Sequence, residues 1–219
     1  MDLKESEPHA LLDLCSQLQS GRHCDPIVCQ AKINKYLSRV TSCKTAFLFL
    51  VSEEGLELSC GVVGDKPLAS DVKIPVSLAS SSSRCVSKTS NSLGSAVLEN
   101  QVISFLELNP AHRQAVLNLL GFPIHSFLCV PISCPDKNES GAPVSLLACL
   151  AQKAGRPSFT SRDAALVREC FRVVLGPLMA ALACSEERRL RKQCQSLLTV
   201  ARNLFKHLSE LFFVANFLD

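Results

Sequence analysis

The chain has no tryptophan, one tyrosine and two methionines among its 219 residues. Proteins that hold single-stranded nucleic acid stack its bases on aromatic rings, and the phenylalanines here sit mostly within apolar runs. The formal net charge is only +3, far from the basic balance of a dedicated nucleic-acid binder, so no nucleic-acid partner is expected. No stretch reaches the roughly 20 apolar residues of a membrane-spanning helix, and no transmembrane segment is expected. The opening Met1-Asp2-Leu3-Lys4-Glu5 is charged where a secretory signal needs an apolar core, and Asp2 stands where N-myristoylation needs glycine. Cys-x-x-Cys is absent. The nearest spacings, Cys24 to Cys29 and Cys129 to Cys134, have no histidine at zinc-finger distance, so no metal site is expected.

What is present is a globular composition: 47% hydrophobic and 20% charged residues. A domain usually takes about 100–200 residues, so the chain holds one sizeable domain with an extension. Twelve cysteines suggest a disulfide scaffold at first sight. They are spread from Cys15 to Cys194 through a chain with ample core, and that usage fits free thiols in a reducing, cytoplasmic setting. Cys60, Cys129, Cys149 and Cys170 read as small core hydrophobes.

The periodicity changes along the chain. Leu11, Leu12, Leu14, Cys15 and Leu18 before Gly21 predict a short helix. Asp25-Pro26 is a cap followed by a first-turn proline, and Cys29, Ile33, Tyr36, Leu37 and Val40 then share one helical face. Thr45 to Val51 is an apolar run of strand length. After the turn Ser52-Glu53-Glu54-Gly55, Leu56, Leu58, Cys60 and Val62 alternate with polar residues, giving an antiparallel hairpin. Lys73 to Val76 is extended, and the serine-rich stretch about Ser77 to Ser90 is a polar loop. Leu93 to Leu98 predicts a short helix and Val102 to Phe105 a brief strand. Asn109-Pro110 caps another helix that ends at Gly121. Ser126 to Ile132 and Val144 to Ala151 are strands, and from Phe159 a long helical tract runs almost to the end. Strands that come in adjacent pairs favour an α+β fold with an antiparallel sheet backed by helices.

Several segments, in this order, carry a family resemblance. Phe47-Leu48-Phe49-Leu50-Val51-Ser52-Glu53, Leu56-Glu57-Leu58-Ser59-Cys60, Val63-Gly64-Asp65-Lys66 and Leu128-Cys129-Val130-Pro131 resemble the first GAF domain of the cGMP-stimulated cyclic nucleotide phosphodiesterases. Leu197 to Leu208 resembles the helix joining the two GAF domains of that family. The likeness covers roughly residues 10–210 and implies a GAF domain with a long connecting helix. It also implies a dimeric setting: in the family the first GAF domain serves mainly in dimerisation, the second binds cGMP, and a metal-dependent phosphohydrolase domain follows. The chain departs from this plan. Leu211 to Asp219 does not resemble the start of a second GAF domain, the serine-rich stretch is extra, and Gly176-Pro177 interrupts a helix that the family keeps unbroken. The phosphodiesterase reaction needs histidines and aspartates around two metals. The five histidines, His9, His23, His112, His125 and His207, are scattered, so no hydrolytic activity and no cofactor is expected.

Nucleotide-binding GAF domains carry an Asn-Lys … Phe-x-x-x-Asp-Glu signature. Lys153, Phe159 and Asp163 keep it, whereas Gln152 and Ala164 replace the asparagine and the glutamate. The resemblance implies that Lys153 and Asp163 pair beside a nucleotide pocket, with cGMP as the possible ligand. A second reading stands beside it. Thr160 and Asp163 have the spacing of a capping box and Phe159 and Ala164 that of a staple, with Asp163 favoured by the helix dipole and Lys153 on an ordinary exposed loop.

Leu190, Cys194, Leu197, Ala201, Leu204, Leu208 and Leu211 follow spacings of 4, 3, 4, 3, 4 and 3, a heptad seam. Leu198, Phe205 and Phe212 widen its face. Such a stripe needs a cover, and a parallel second copy is the simplest one. Gly176-Pro177 is expected to kink the helix. The division expected is a lead-in over 1–24, the GAF domain over 25–184 with a polar insertion about 77–90, and a connecting coiled-coil helix with a divergent end over 185–219. The function expected is a non-catalytic regulatory and dimerisation module whose partner is a second copy or the full-length phosphodiesterase. The alternatives are a cGMP or other small-ligand sensor and a GAF-type methionine sulfoxide reductase with Cys129 or Cys134 as nucleophile.

Overall fold

Two adjacent strands, β1 (Cys43–Val51) and β6 (Val144–Lys153), form the centre of a six-stranded antiparallel sheet, although about a hundred residues separate them in sequence. The computed structural model describes residues 6–19, 25–52, 54–76, 93–133, 144–155 and 158–215, with side chains for all but 6–8, 19 and 209–215. The serine-rich stretch about 77–90 and Cys134 lie outside the described residues. The other strands are β2 (Glu57–Val63), β3 (Lys66–Pro75), β4 (Ile103–Ser104) and β5 (Phe127–Ser133). Their order is β3-β2-β1-β6-β5-β4, with every pairing antiparallel.

The helices are α1 (Ser6–Gln19), α2 (Pro26–Thr41), α3 (Leu93–Glu99), α4 (Pro110–Leu120) and α5 (Ser161–Ala215). They cover both faces of the sheet, which explains why β1, β5 and β6 read as continuous apolar runs. Along β1 the side chains alternate between layers. Ala46 and Leu48 join the core under α1, α2 and α5, whereas Phe47 and Phe49 join the core under α3 and α4. The Phe47 and Phe49 rings meet edge to face at 5.4 Å, a favoured aromatic geometry.

The local signals act as their chemistry dictates. The Asp25 carboxylate accepts the Ile27 N–H at 2.9 Å at the start of α2, and Asn109 does the same for Ala111 at 2.8 Å. Gly121, at φ 70°, closes α4 in the left-handed conformation, which glycine adopts without a Cβ clash. Gly64, at φ +61°, makes the β2–β3 turn. Its N–H donates to the Ala46 carbonyl and its own carbonyl accepts from the Asn34 amide, at 2.9 and 3.0 Å.

One expectation changes. The extended segment at Lys73 is the end of a ten-residue strand that begins at Lys66. Its sequence reads as polar because β3 is an edge strand with most side chains exposed. The helix that Gly176-Pro177 is expected to kink runs on through both residues, from Ser161 to Ala215. Pro177 has no N–H for the Val173 carbonyl, but Val173 lies on the exposed side, where water can take that bond. Val174, Leu175 and Leu178 are buried on the other side and hold both halves against the sheet.

Candidate functional site

The three residues of the sensing signature come together where β6 hands over to α5. Lys153 is the last residue of β6, and Asp163 lies in the first turn of α5. Their ammonium and carboxylate groups form an ion pair with side chains only 10% and 8% exposed. Lys153 is therefore no ordinary exposed loop residue, and on this point the second sequence reading is corrected. The strand that carries Lys153 turns its side chain inward under the helix start. The Lys153 ammonium also lies 5.3 Å from the centre of the Phe159 ring, within cation–π reach.

Asp163 oxygen Oδ2 accepts the Thr160 N–H at 2.7 Å and the Thr160 hydroxyl at 2.9 Å, besides the Lys153 ammonium. This is the reach-back half of a capping box. Burial alone would raise the Asp163 carboxyl. The hydrogen bonds from Lys153 and Thr160, with the Lys153 charge, outweigh that and hold it below its ordinary value. All three donors meet Oδ2, so this oxygen anchors the start of α5.

Gln152 shows what the signature's change from asparagine does. Its backbone is left-handed, at φ 60°, a conformation that asparagine tolerates better than glutamine. Gln152 uses its side chain to accept the His125 N–H at 3.0 Å, and its own N–H donates to the Ser126 carbonyl at 2.9 Å. The Ser126 hydroxyl in turn accepts the Lys153 N–H at 2.8 Å. These bonds clamp the start of β5 to the end of β6. Beside them lies a cavity of about 220 Å³ bordered by Phe105, His125, Ser126 and Phe159.

His112 is a site that the sequence did not announce. It is fully buried. Its Nδ1 accepts the Leu93 N–H and its Nε2 faces the Pro75 carbonyl, both at 3.2 Å. Only the neutral ring protonated at Nε2 satisfies both. Burial lowers its pKa, against the opposing pull of the Pro75 carbonyl. A lone histidine on a helix gives no sequence signal for this role, because its partners lie on β3 and α3.

The described thiols are free, and all but Cys184 and Cys194 are buried. Cys60, Cys129 and Cys149 have no exposure, and Cys129 and Cys149 face each other across β5 and β6. Burial pushes the Cys60 thiol up to about 12. Burial first, then the bond to Cys129, raises Cys149 well above the ordinary range. Among the described residues no group of three histidine, cysteine, aspartate or glutamate side chains is placed to hold a metal ion.

The second candidate region is α5 beyond the domain. Its packing against the sheet runs through Val167, Phe171, Val174, Leu178 and Ala181, and from Glu186 to Val200 every residue is exposed. Leu190, Leu197, Leu204 and Leu208 are 49%, 69%, 59% and 52% exposed. Cys194 is exposed and Ala201 half-buried, while the side chain of Leu211 lies outside the described residues. The salt bridges Glu186–Arg189 and Glu187–Arg191 run along the same helix. Among the described residues no helix is long and apolar enough to cross a membrane.

No protein-family model matches the sequence. The similarity to solved structures is one of fold. The GAF domain of a phosphoenolpyruvate-protein phosphotransferase from Acinetobacter aligns over 83% of this chain and 97% of that one, with a TM-score of 0.56 and 14% identity. The GAF domain of the corresponding protein from Coxiella burnetii gives 0.50 and 15% over 84% and 96%. Free methionine-R-sulfoxide reductase from Neisseria meningitidis, solved with its substrate, gives 0.53 and 16% over 84% and 95%. With the strand order and the helices on both faces of the sheet, these likenesses identify the architecture: the chain has the GAF-domain fold.

Proposed function

We propose that this chain is a non-catalytic regulatory and dimerisation module of cytoplasmic cyclic-nucleotide signalling, of the kind the first GAF domain provides in cGMP-stimulated phosphodiesterases. The observation that carries the reading is the exposed heptad stripe. Leu190, Leu197, Leu204 and Leu208 lie bare on a helix that has left its own domain. An apolar face of that period is stable in water once a second helix covers it. The partner is a parallel second copy, or the same segment of a full-length phosphodiesterase. The ordered motifs from Phe47 to Leu208 support the family assignment.

A sensor reading has one observation in its favour: Lys153 and Asp163 do pair, beside the 220 Å³ cavity. Against it, one of the two Asp163 oxygens, Oδ2, is taken up by three donors within the chain. The reductase reading is weaker. A reactive cysteine is exposed and has a lowered pKa, whereas Cys129 has no exposure. The test is equilibrium binding of labelled cGMP to the reduced protein, with light scattering to give its mass. The expected result is a dimer without saturable binding. Saturable binding at micromolar or tighter affinity, lost in Asp163→Ala, would turn the assignment to a sensor.

A further inference from the structure

A groove of about 590 Å³ runs along α5 where it passes the end of β5. That volume is typical of small-molecule sites, which combine apolar walls with a few placed polar groups. The walls here divide in the same way. Phe171, Leu175 and Met179 on α5 and Ile132 on β5 supply apolar surface. Arg168 and Arg172 stand one turn apart at one end of the helical wall, side by side on the helix surface. From Arg168 to Met179 the helix rises about 16 Å at 1.5 Å per residue. The groove thus has a cationic end and an apolar end.

The polar groups at this site are incompletely used. Arg168 meets no carboxylate among the described residues. Arg172 touches Glu169 at 3.1 Å, with side chains 78% and 59% exposed, a surface pair that contributes little and exchanges readily. Ser133, the last residue of β5, also lines the groove. The planar guanidinium fork fits carboxylate or phosphate through two parallel bonds.

We propose that this groove binds an amphipathic anion, with a carboxylate or phosphate head held by Arg168 and Arg172 and an apolar body along Leu175 and Met179. The experiment is titration calorimetry of the intact chain with decanoate, decyl phosphate, decanol and inorganic phosphate, each below any micelle threshold. One or both decyl anions should bind with one-to-one saturation, and whichever is tighter identifies the head group. Decanol, lacking charge, and inorganic phosphate, lacking the body, should each bind at least tenfold more weakly. Arg168→Gln with Arg172→Gln should weaken the anions tenfold or more without changing the melting temperature, since both arginines are exposed. Met179→Trp should block the apolar end while the arginines stay in place. The proposal is overturned if neither decyl anion saturates, if decanol matches them, or if the double glutamine protein binds them undiminished. A change in the protein's mass in solution on Met179→Trp, with no anion bound by the parent, would mark the groove as a contact between copies and overturn it too.

Discussion

Lys153 and Asp163 form a nearly dry ion pair that joins the last residue of the central strand β6 to the first turn of α5. Removing one partner leaves the other charged and almost buried. Breaking a buried pair in this way costs several kcal/mol. Asp163→Ala also removes the acceptor of the Thr160 N–H and hydroxyl. A loss of about 3 kcal/mol is expected, read as a lower urea midpoint at unchanged slope. Ser161→Ala, on the same turn but exposed, should shift the midpoint by less than about 0.5 kcal/mol.

The same pair sets an acid limit. The Asp163 carboxyl is held below its ordinary value in the folded chain, so below about pH 3.9 the unfolded chain takes up the proton first. The contribution is complete above that pH and is lost as pH falls toward the lower folded-state value. The stability difference between the parent and Asp163→Asn should therefore be constant from pH 7 to 5 and shrink below 4. A difference that stays constant down to pH 2 would contradict the role given to this carboxylate.

His112 gives the opposite window. Its folded pKa is lowered by burial, so as pH falls through about 6.5 the unfolded chain gains protons before the folded one. Stability should drop from pH 7 toward the lowered folded value and level off below it. A proton on Nδ1 would face the Leu93 N–H and break that bond. His112→Gln should be less stable at pH 7 and should lose less stability between pH 7 and 5 than the parent.

Much of the fold was legible because its signals are local. Asp25-Pro26, Asn109-Pro110 and Gly121 mark helix ends by backbone chemistry that no tertiary contact overrides. The runs at Phe47 and Leu147 mark strands covered on both faces. The start of β3 was not legible, because an edge strand carries no apolar alternation. The unbroken passage of α5 through Pro177 was not legible either, since it depends on Val174 and Leu178 being pinned to the sheet. In the candidate site, Lys153, Phe159 and Asp163 could be chosen from a signature. The tautomer lock at His112 and the inward turn of Lys153 come from partners distant in sequence, where spacing carries no information.

The thiols separate an assembly module from a reductase. Cys184 and Cys194 are exposed, whereas Cys60, Cys129 and Cys149 are buried. Brief iodoacetamide labelling followed by peptide mass analysis should modify Cys184 while sparing Cys60, Cys129 and Cys149 until the protein is unfolded in urea; Cys194, a seam position, should be labelled slowly in the dimeric parent and fast in a monomeric variant. A uniquely fast Cys129 would revive the reductase reading.

The most direct test of the account is sedimentation equilibrium of the parent chain and of the Leu197→Glu, Leu204→Glu double variant. Both leucines are exposed on a helix that has left the domain, so neither change disturbs the core. The account predicts a dimer for the parent and a monomer with an unchanged circular dichroism spectrum over the sheet region for the variant. A variant that sediments like the parent would show that the stripe on α5 is not the seam.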